Sequence, residues 1–266
     1  MWRGLGSGLL LAGACAIAAA DPACPEPLRI GFNDGATPPG LMGHGQRFAD
    51  PPGWEVDAVR DALKRLGCKG ELLRLPSRRL SASLSQGGID FALLYGVTPA
   101  RLKVLSFPLD AQARPDVAWA PVFGHLALYG RPGTRVDPGW DGRRLDERWR
   151  VGAIGGSVQD ALARERGWRV EAVGARDGEV AMLLAERFDL LLTTRESLTP
   201  GQRAGLQEWS PPVARMAYFM PAAPAFAQRH PAWTRSFWNE FCRAVRRLEP
   251  DVRPVDCGIV PPSTLR

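Results

Sequence analysis

The chain is poor in the residues that hold metals. Its three histidines, His44, His125 and His230, are scattered without ligand spacing, and no CxxC pair occurs. A zinc site is therefore not expected. There is no GxSxG elbow, which argues against a serine hydrolase of that type. The formal charge is +6 and the pI about 9.4, but arginine is spread along the whole length, with no compact Lys/Arg block and no nucleic-acid motif. The charge is compatible with an anionic ligand and identifies no nucleic-acid partner. Beyond the N-terminal segment, no stretch approaches the roughly eighteen unbroken apolar residues of a membrane span.

What is present begins with a processing signal. Arg3 supplies the charge, Leu5 to Ala19 is an apolar and small-residue run, and Ala18-Ala19-Ala20 precedes Asp21. Residues 1–20 read as a cleaved signal peptide, which implies export to the periplasm. The competing reading is lipidation at Cys15. Its weakness is Ala12, where lipoprotein signals usually carry a larger apolar residue.

Removing that segment leaves Cys24, Cys68, Cys242 and Cys257. An even count in an oxidising compartment reads as disulfides, with three pairings possible. Cys24 and Cys68 each lie just before an expected strand, and neighbouring parallel strands begin side by side. Cys24–Cys68 is the natural pair, and Cys242–Cys257 would then pin the tail to a C-terminal helix.

The length, 266 residues, suits two modest lobes better than one core. Strands are expected at Leu28–Phe32, Glu71–Leu75 and Ile89–Leu94. Between the first two, a long Gly/Pro-rich loop leads into a helix over GWEVDAVRDALKRLG. That helix carries Val56, Val59, Leu63 and Leu66 on one face and ends at Gly67. Val117 to Tyr129 is an apolar crossing. After it, RVGAIGGSVQDALARERGW restarts strand, Gly turn and helix, with a capping-box pattern at Ser157 and Asp160. Arg169–Val173, a helix over Glu179–Arg187 and the buried strand RFDLLLTT repeat the grammar. Arg215–Met220 reads as a return strand. Ala232–Leu248 reads as a helix whose stripe of Trp233, Phe237, Phe241, Val245 and Leu248 is core. The class is α/β, each unit a mostly parallel sheet flanked by helices.

Ligands of α/β sheets sit beyond the carboxyl ends of strands. In PSRRLSASLSQGGIDFALLYGVTPAR that rule places Gly96, Thr98 and Arg101 at a ligand site. Asp34 follows the first strand, and Arg79 follows Pro76 at the end of the second. Arg79 is either a second ligand-facing cation or a solvated helix-start residue. Trp54 either walls the site or staples the helix start.

The stretch through Arg101, together with the GWEVDAV helix entry, resembles the type 2 periplasmic solute-binding proteins. More narrowly, it resembles the family 3 receptors that feed amino-acid ABC importers. The resemblance covers nearly all of the mature chain. It implies a two-lobed type 2 binding-protein fold joined by two crossing strands, with lobe one at 26–120 plus 216–266 and lobe two at 121–215. It implies that Arg101 clamps a carboxylate and that Gly156, Ser157, Val158 and Gln159 form the second-lobe anion turn. Gly96 stands where a Ser or Thr hydroxyl is common. Thr194 stands where an Asp usually meets the ligand's ammonium, which puts an ordinary α-amino acid in doubt; Glu196 substitutes only if the register differs by two. Asp189 is expected to play the structural part that Asp90 plays in lobe one.

The function implied is a non-enzymatic, monomeric receptor. It captures a small polar, anionic or amino-acid-like solute, without cofactor or metal, for an inner-membrane ABC permease. Two alternatives share the fold. One is a periplasmic signalling or accessory protein. The other is an enzyme resembling cyclohexadienyl dehydratase, which needs a general acid in the cleft.

Overall fold

The computed structural model describes residues 23–174 and 178–259. The expected signal peptide and Cys15 lie outside the described residues. No described helix is long and apolar enough to cross a membrane.

The first unit opens with β1 (Arg29–Asn33). The loop after it folds into a small hairpin, β2 (Gly43–His44) and β3 (Arg47–Phe48), which its Gly/Pro content concealed. Helix α1 (Trp54–Arg65) follows, burying Val56, Val59, Ala62 and Leu63. It ends where Gly67 takes φ +65°, a left-handed conformation that favours glycine. Then come β4 (Glu71–Leu75), α2 (Ser77–Ser85) and β5 (Phe91–Ala92). The three long-range strands pair in parallel, in the order β4-β1-β5. Cys24 and Cys68 are disulfide-bonded across this edge, their Cα atoms 5.6 Å apart.

The loop is organised from below by Arg74 of β4, only 3% exposed. Its guanidinium donates to the carbonyls of Asn33, Asp34, Gly35, Met42, Gly43 and Arg47, and lies over the Phe48 ring. Burial lowers its pKa, an effect opposed by the nearby carboxylates of Asp34 and Glu55. Six carbonyls on one planar fork replace the strand ladder that this irregular segment lacks.

The buried run expected as one strand over 89–94 is broken. Leu94 adopts φ +55°, and the chain leaves β5 to form β6 (Tyr95–Gly96) in a different sheet. The short helix α3 (Pro99–Leu102) comes next, and then the crossing strand β7 (Val122–Gly130).

The second unit runs β8 (Arg150–Ile154), α4 (Val158–Glu165), β9 (Arg169–Val173), α5 (Glu179–Leu184) and β10 (Leu190–Thr194). Its parallel order is β9-β8-β10, the same second-first-third arrangement as in the first unit. One acid closes each unit. Asp90 accepts from the N–H of Arg29 at 2.7 Å, at the start of β1. Asp189 accepts from the N–H of Arg150 at 3.0 Å, at the start of β8. The structural role expected for Asp189 is therefore observed.

After β10 come α6 (Pro200–Ala204), β11 (Gln207–Glu208) and the return strand β12 (Ala214–Phe219). β12 lies antiparallel between β6 and β7, so these strands tie the two units together. α7 (Pro224–Arg229) and α8 (Pro231–Leu248) bring the chain back onto the first unit, where α8 packs on α1. Trp233, Phe237, Phe241 and Val245 are buried as the stripe predicts, while Leu248 at the helix end is exposed. The Cys242–Cys257 disulfide holds the tail. Arg253, fully buried, donates to the carbonyls of Ala118, Asp256 and Ile259. Its pKa is lowered to about 10 by burial, against the favourable charge of Asp256.

Among the described residues, the buried apolar side chains fall into three clusters. One gathers Leu28 to Val122 with Phe219 to Val245. The other two lie within 126–213 on opposite faces of the second sheet, one of them rich in tryptophan: Trp140, Trp168 and Trp209.

Candidate functional site

A cavity of about 280 Å³ lies where the two units face each other. The first unit contributes Asn33 at the end of β1, Ser77, Arg78 and Ser81 of α2, and Leu94, Tyr95, Gly96 and Arg101. The second contributes Ile154 through Gln159, and β12 adds Tyr218. This is the carboxyl end of both parallel sheets, where open α/β folds place ligands.

Arg101 is carried by α3, whose first turn is set by Pro99 and by Thr98. The Thr98 hydroxyl accepts the N–H of Arg101 at 3.2 Å. One guanidinium arm donates to the carbonyl of Gly96 at 2.7 Å and the other to the carbonyl of Gly156 at 3.0 Å. The plane lies over the Tyr95 ring, 4.7 Å from its centroid. Burial lowers the Arg101 pKa, and the Tyr95 and Tyr218 hydroxyls oppose that shift. Arg101 stays cationic regardless. Tyr95 shares a hydrogen bond of 3.0 Å with Ser81, and burial raises its own pKa against that bond and the charge of Arg101.

Gly96 is needed by the approach of the second unit. A Cβ there would sit 2.7 Å from Cγ1 of Val158 and 2.9 Å from its Cβ. The hydroxyl side chain common at this place has no room while the units stand this close.

The turn before α4 corrects one detail of the expectation. Gly156 holds φ +74°, and Ser157 caps the helix by accepting from the N–H of Asp160. The Gly156 N–H is taken by the Asp160 carboxylate at 2.9 Å, and the Ser157 N–H by the carbonyl of Ile154 at 3.0 Å. Among the described residues, the N–H groups left without a partner at this helix start are those of Val158 and Gln159. The Gln159 side chain is on the cavity wall, in a residue only 3% exposed, and its amide makes no hydrogen bond among the described residues.

Of the residues singled out in the sequence, Gly96, Arg101, Gly156, Ser157, Val158 and Gln159 share this wall. Five do not. Thr98 spends its hydroxyl on the cap. Arg79 is exposed and off the wall, while its neighbour Arg78 is on it. Asp34 stands by Arg74 and serves the loop. Trp54 packs against the first core. Thr194 is buried and bonds the Ser197 hydroxyl. Glu196 is off the wall too, accepting from the backbone N–H of His125 at 2.9 Å and pairing with its ring. Arg78 was within reach of sequence reasoning. Leu80 and Leu84 bury one face of α2, and Ser77, Arg78 and Ser81, at i, i+1 and i+4, share another. Tyr218 could not be found that way, because only the return of β12 beside β6 brings it here.

Among the described residues, the charged side chains on the wall are both guanidinium groups, Arg78 and Arg101, and no carboxylate or imidazole lines it. Among the described residues, no cluster of His, Cys, Asp and Glu could hold a metal ion.

No family model matches the chain, and no curated protein sequence matches it. Solved structures do. The ancestral amino acid-binding protein AncCDT-1, a precursor of cyclohexadienyl dehydratase, superposes with a TM-score of 0.65 at 13% identity, over 85% of this chain and 94% of that one. A histidine kinase sensor domain similar to periplasmic binding proteins gives 0.63 at 13%, over 86% and 92%. A putative ABC-transporter binding component from Wolinella succinogenes, complexed with lysine, gives 0.62 at 13%, over 86% and 98%. At these identities the likeness establishes the architecture: the chain has the two-lobed type 2 periplasmic-binding-protein fold.

Proposed function

We propose that this chain is an exported solute receptor that closes on a small polar, anionic solute between its lobes and presents it to an inner-membrane ABC importer. The observation that carries this reading is the cavity itself. Both units wall it, and the Arg101 guanidinium reaches across it from Gly96 to Gly156. A ligand at that place contacts both lobes at once, which is how hinge closure is coupled to binding. Two guanidinium groups and the free N–H groups at the start of α4 favour negative charge. The lobe limits we assign, 26–120 plus 216–266 and 121–215, are supported by the separation of the buried clusters. The signal-like N-terminus and the two disulfides support a periplasmic site of action for the monomer.

Binding without turnover is favoured over the dehydratase reading because general acid–base chemistry needs a proton carrier in reach. Among the described residues the wall offers neither carboxyl nor imidazole; its phenols are Tyr95 and Tyr218, and burial raises the Tyr95 pKa further from neutrality. The experiment is a thermal-shift screen of small acids, amino acids and polyamines, paired with native mass spectrometry of protein prepared without unfolding. A stabilisation that grows with the logarithm of ligand concentration, and a bound mass that is released unchanged, support the receptor. A bound mass that is converted on incubation would replace it with the enzyme.

A further inference from the structure

Resting on the receptor reading, we propose that the cleft selects a small carboxylic acid that carries no amine, such as a dicarboxylic, hydroxy or keto acid, and discriminates against α-amino acids. The argument is an inventory of charge. An ammonium taken from water needs an anion, or several free acceptors, in its place. Among the described residues, the charges the wall offers it are Arg78 and Arg101, both repulsive. The carbonyls nearest the Arg101 guanidinium, those of Gly96 and Gly156, are already occupied by it. The end of β10 carries Thr194, which is neutral, buried and bonded to Ser197. Glu196, two residues on, is held on His125 away from the wall.

An anion finds the opposite. Among the described residues, the N–H groups of Val158 and Gln159 stand free at the start of α4. Gln159 beside them lines the cavity in a residue only 3% exposed, and its amide makes no hydrogen bond among the described residues. An amide so placed gains a partner when a ligand oxygen or hydroxyl reaches it. The hydroxyls of Ser77 and Ser81 add neutral contacts suited to a carbonyl or hydroxyl oxygen. With a cavity of about 280 Å³, the occupant is a small metabolite.

The test uses pairs of acids that differ chiefly by the amine: 2-oxoglutarate against L-glutamate, and succinate against L-aspartate, within a wider panel of small acids with and without amines. Calorimetry and melting curves are recorded on the exported protein. The expected result is that an amine-free acid binds about a hundredfold more tightly than its amino partner, and that Gln159→Ala weakens the acid about tenfold or more. Melting of the unliganded Gln159→Ala variant reports whether it folds. Arg78→Gln serves as a second variant, at an exposed residue of the wall, and should also lose affinity for the acid. If an amino acid binds as tightly as its amine-free partner, or more tightly, this inference is overturned and the receptor reading stands. If no acid of either kind binds at concentrations up to about 10 mM, both fall.

Discussion

Replacing Arg101 by alanine separates two tasks that one guanidinium performs. In the absence of ligand it ties Gly96 to Gly156 through bonds of 2.7 and 3.0 Å. Hydrogen bonds from a charged donor contribute about 1.5–3 kcal/mol each where both partners are dry. Here both acceptors border a cavity that water can enter, so the low end applies, and about 3 kcal/mol in total is at stake on the closed form. Most of that is relieved by the lobes parting, since only the Gly156 bond spans the cleft and neither acceptor lies within a core. The melting temperature should therefore fall by no more than about 4 °C. The second task is the ligand. Loss of a charge-assisted contact to its carboxylate should weaken binding about ten- to a hundredfold. Arg101→Lys should recover part of this, because an ammonium keeps the charge but cannot serve both carbonyls and the ligand with one planar fork. Titration calorimetry on the acid found by the screen gives the affinity. Small-angle scattering without ligand gives the lobe opening, which should increase in Arg101→Ala. Unchanged affinity in the alanine variant, with increased opening, would mean that Arg101 only latches the lobes. Neither effect would mean that the contacts with Gly96 and Gly156 carry no energy.

Four further outcomes follow from the same geometry. Arg74→Met should cost more than about 3 kcal/mol in urea unfolding, because six loop carbonyls lose their donor at once; a loss under about 1 kcal/mol would show that the loop does not depend on it. Replacing Cys242 and Cys257 together by alanine should cost about 3 kcal/mol, for a loop of sequence separation 15, and peptide mapping without reduction should find this pair and Cys24–Cys68. Gly96→Val should hold the lobes apart and reduce ligand affinity, since its Cβ would lie 2.7 Å from Val158; a closed form of unaltered dimensions in scattering would contradict this. The Asp189 carboxyl is held below its ordinary value: burial alone would raise it, but its hydrogen bonds and charge pairing with Arg150 prevail. Its contribution to stability is thus present above the ordinary Asp value, about 3.9, and is lost as pH falls through the depressed one. Asp189→Asn should flatten the acid limb of a stability–pH curve, and a limb of unchanged slope would assign that limb to other acids.

The sequence by itself determined what is local and periodic. The period-3.6 stripe of α1, the left-handed stop at Gly67 and the strand at Glu71–Leu75 were all legible, because each depends on neighbours a few residues away. The parallel between Asp90 and Asp189 was legible for the same reason, each acid standing at the same place before a buried strand. The disulfide pairing followed from strands that start side by side. Arg101 was legible because it follows a strand end at short range. Tertiary structure alone decided the rest. Leu94 bends the chain from one sheet into another, a left-handed residue that no hydrophobic pattern marks. Arg74 and Arg253 look like surface cations in the sequence and are buried, because carbonyls that accept from them, those of Met42 and Ala118 among others, are brought close only by folding. The wall itself is the clearest case. It sets Gly96 of the first lobe against Val158 of the second, chooses Arg78 over Arg79, and admits Tyr218 from a strand more than a hundred residues away along the chain. A cleft between lobes is made of contacts between distant parts of the chain, and the spacing of residues along a sequence carries no record of which side chains will face each other across it.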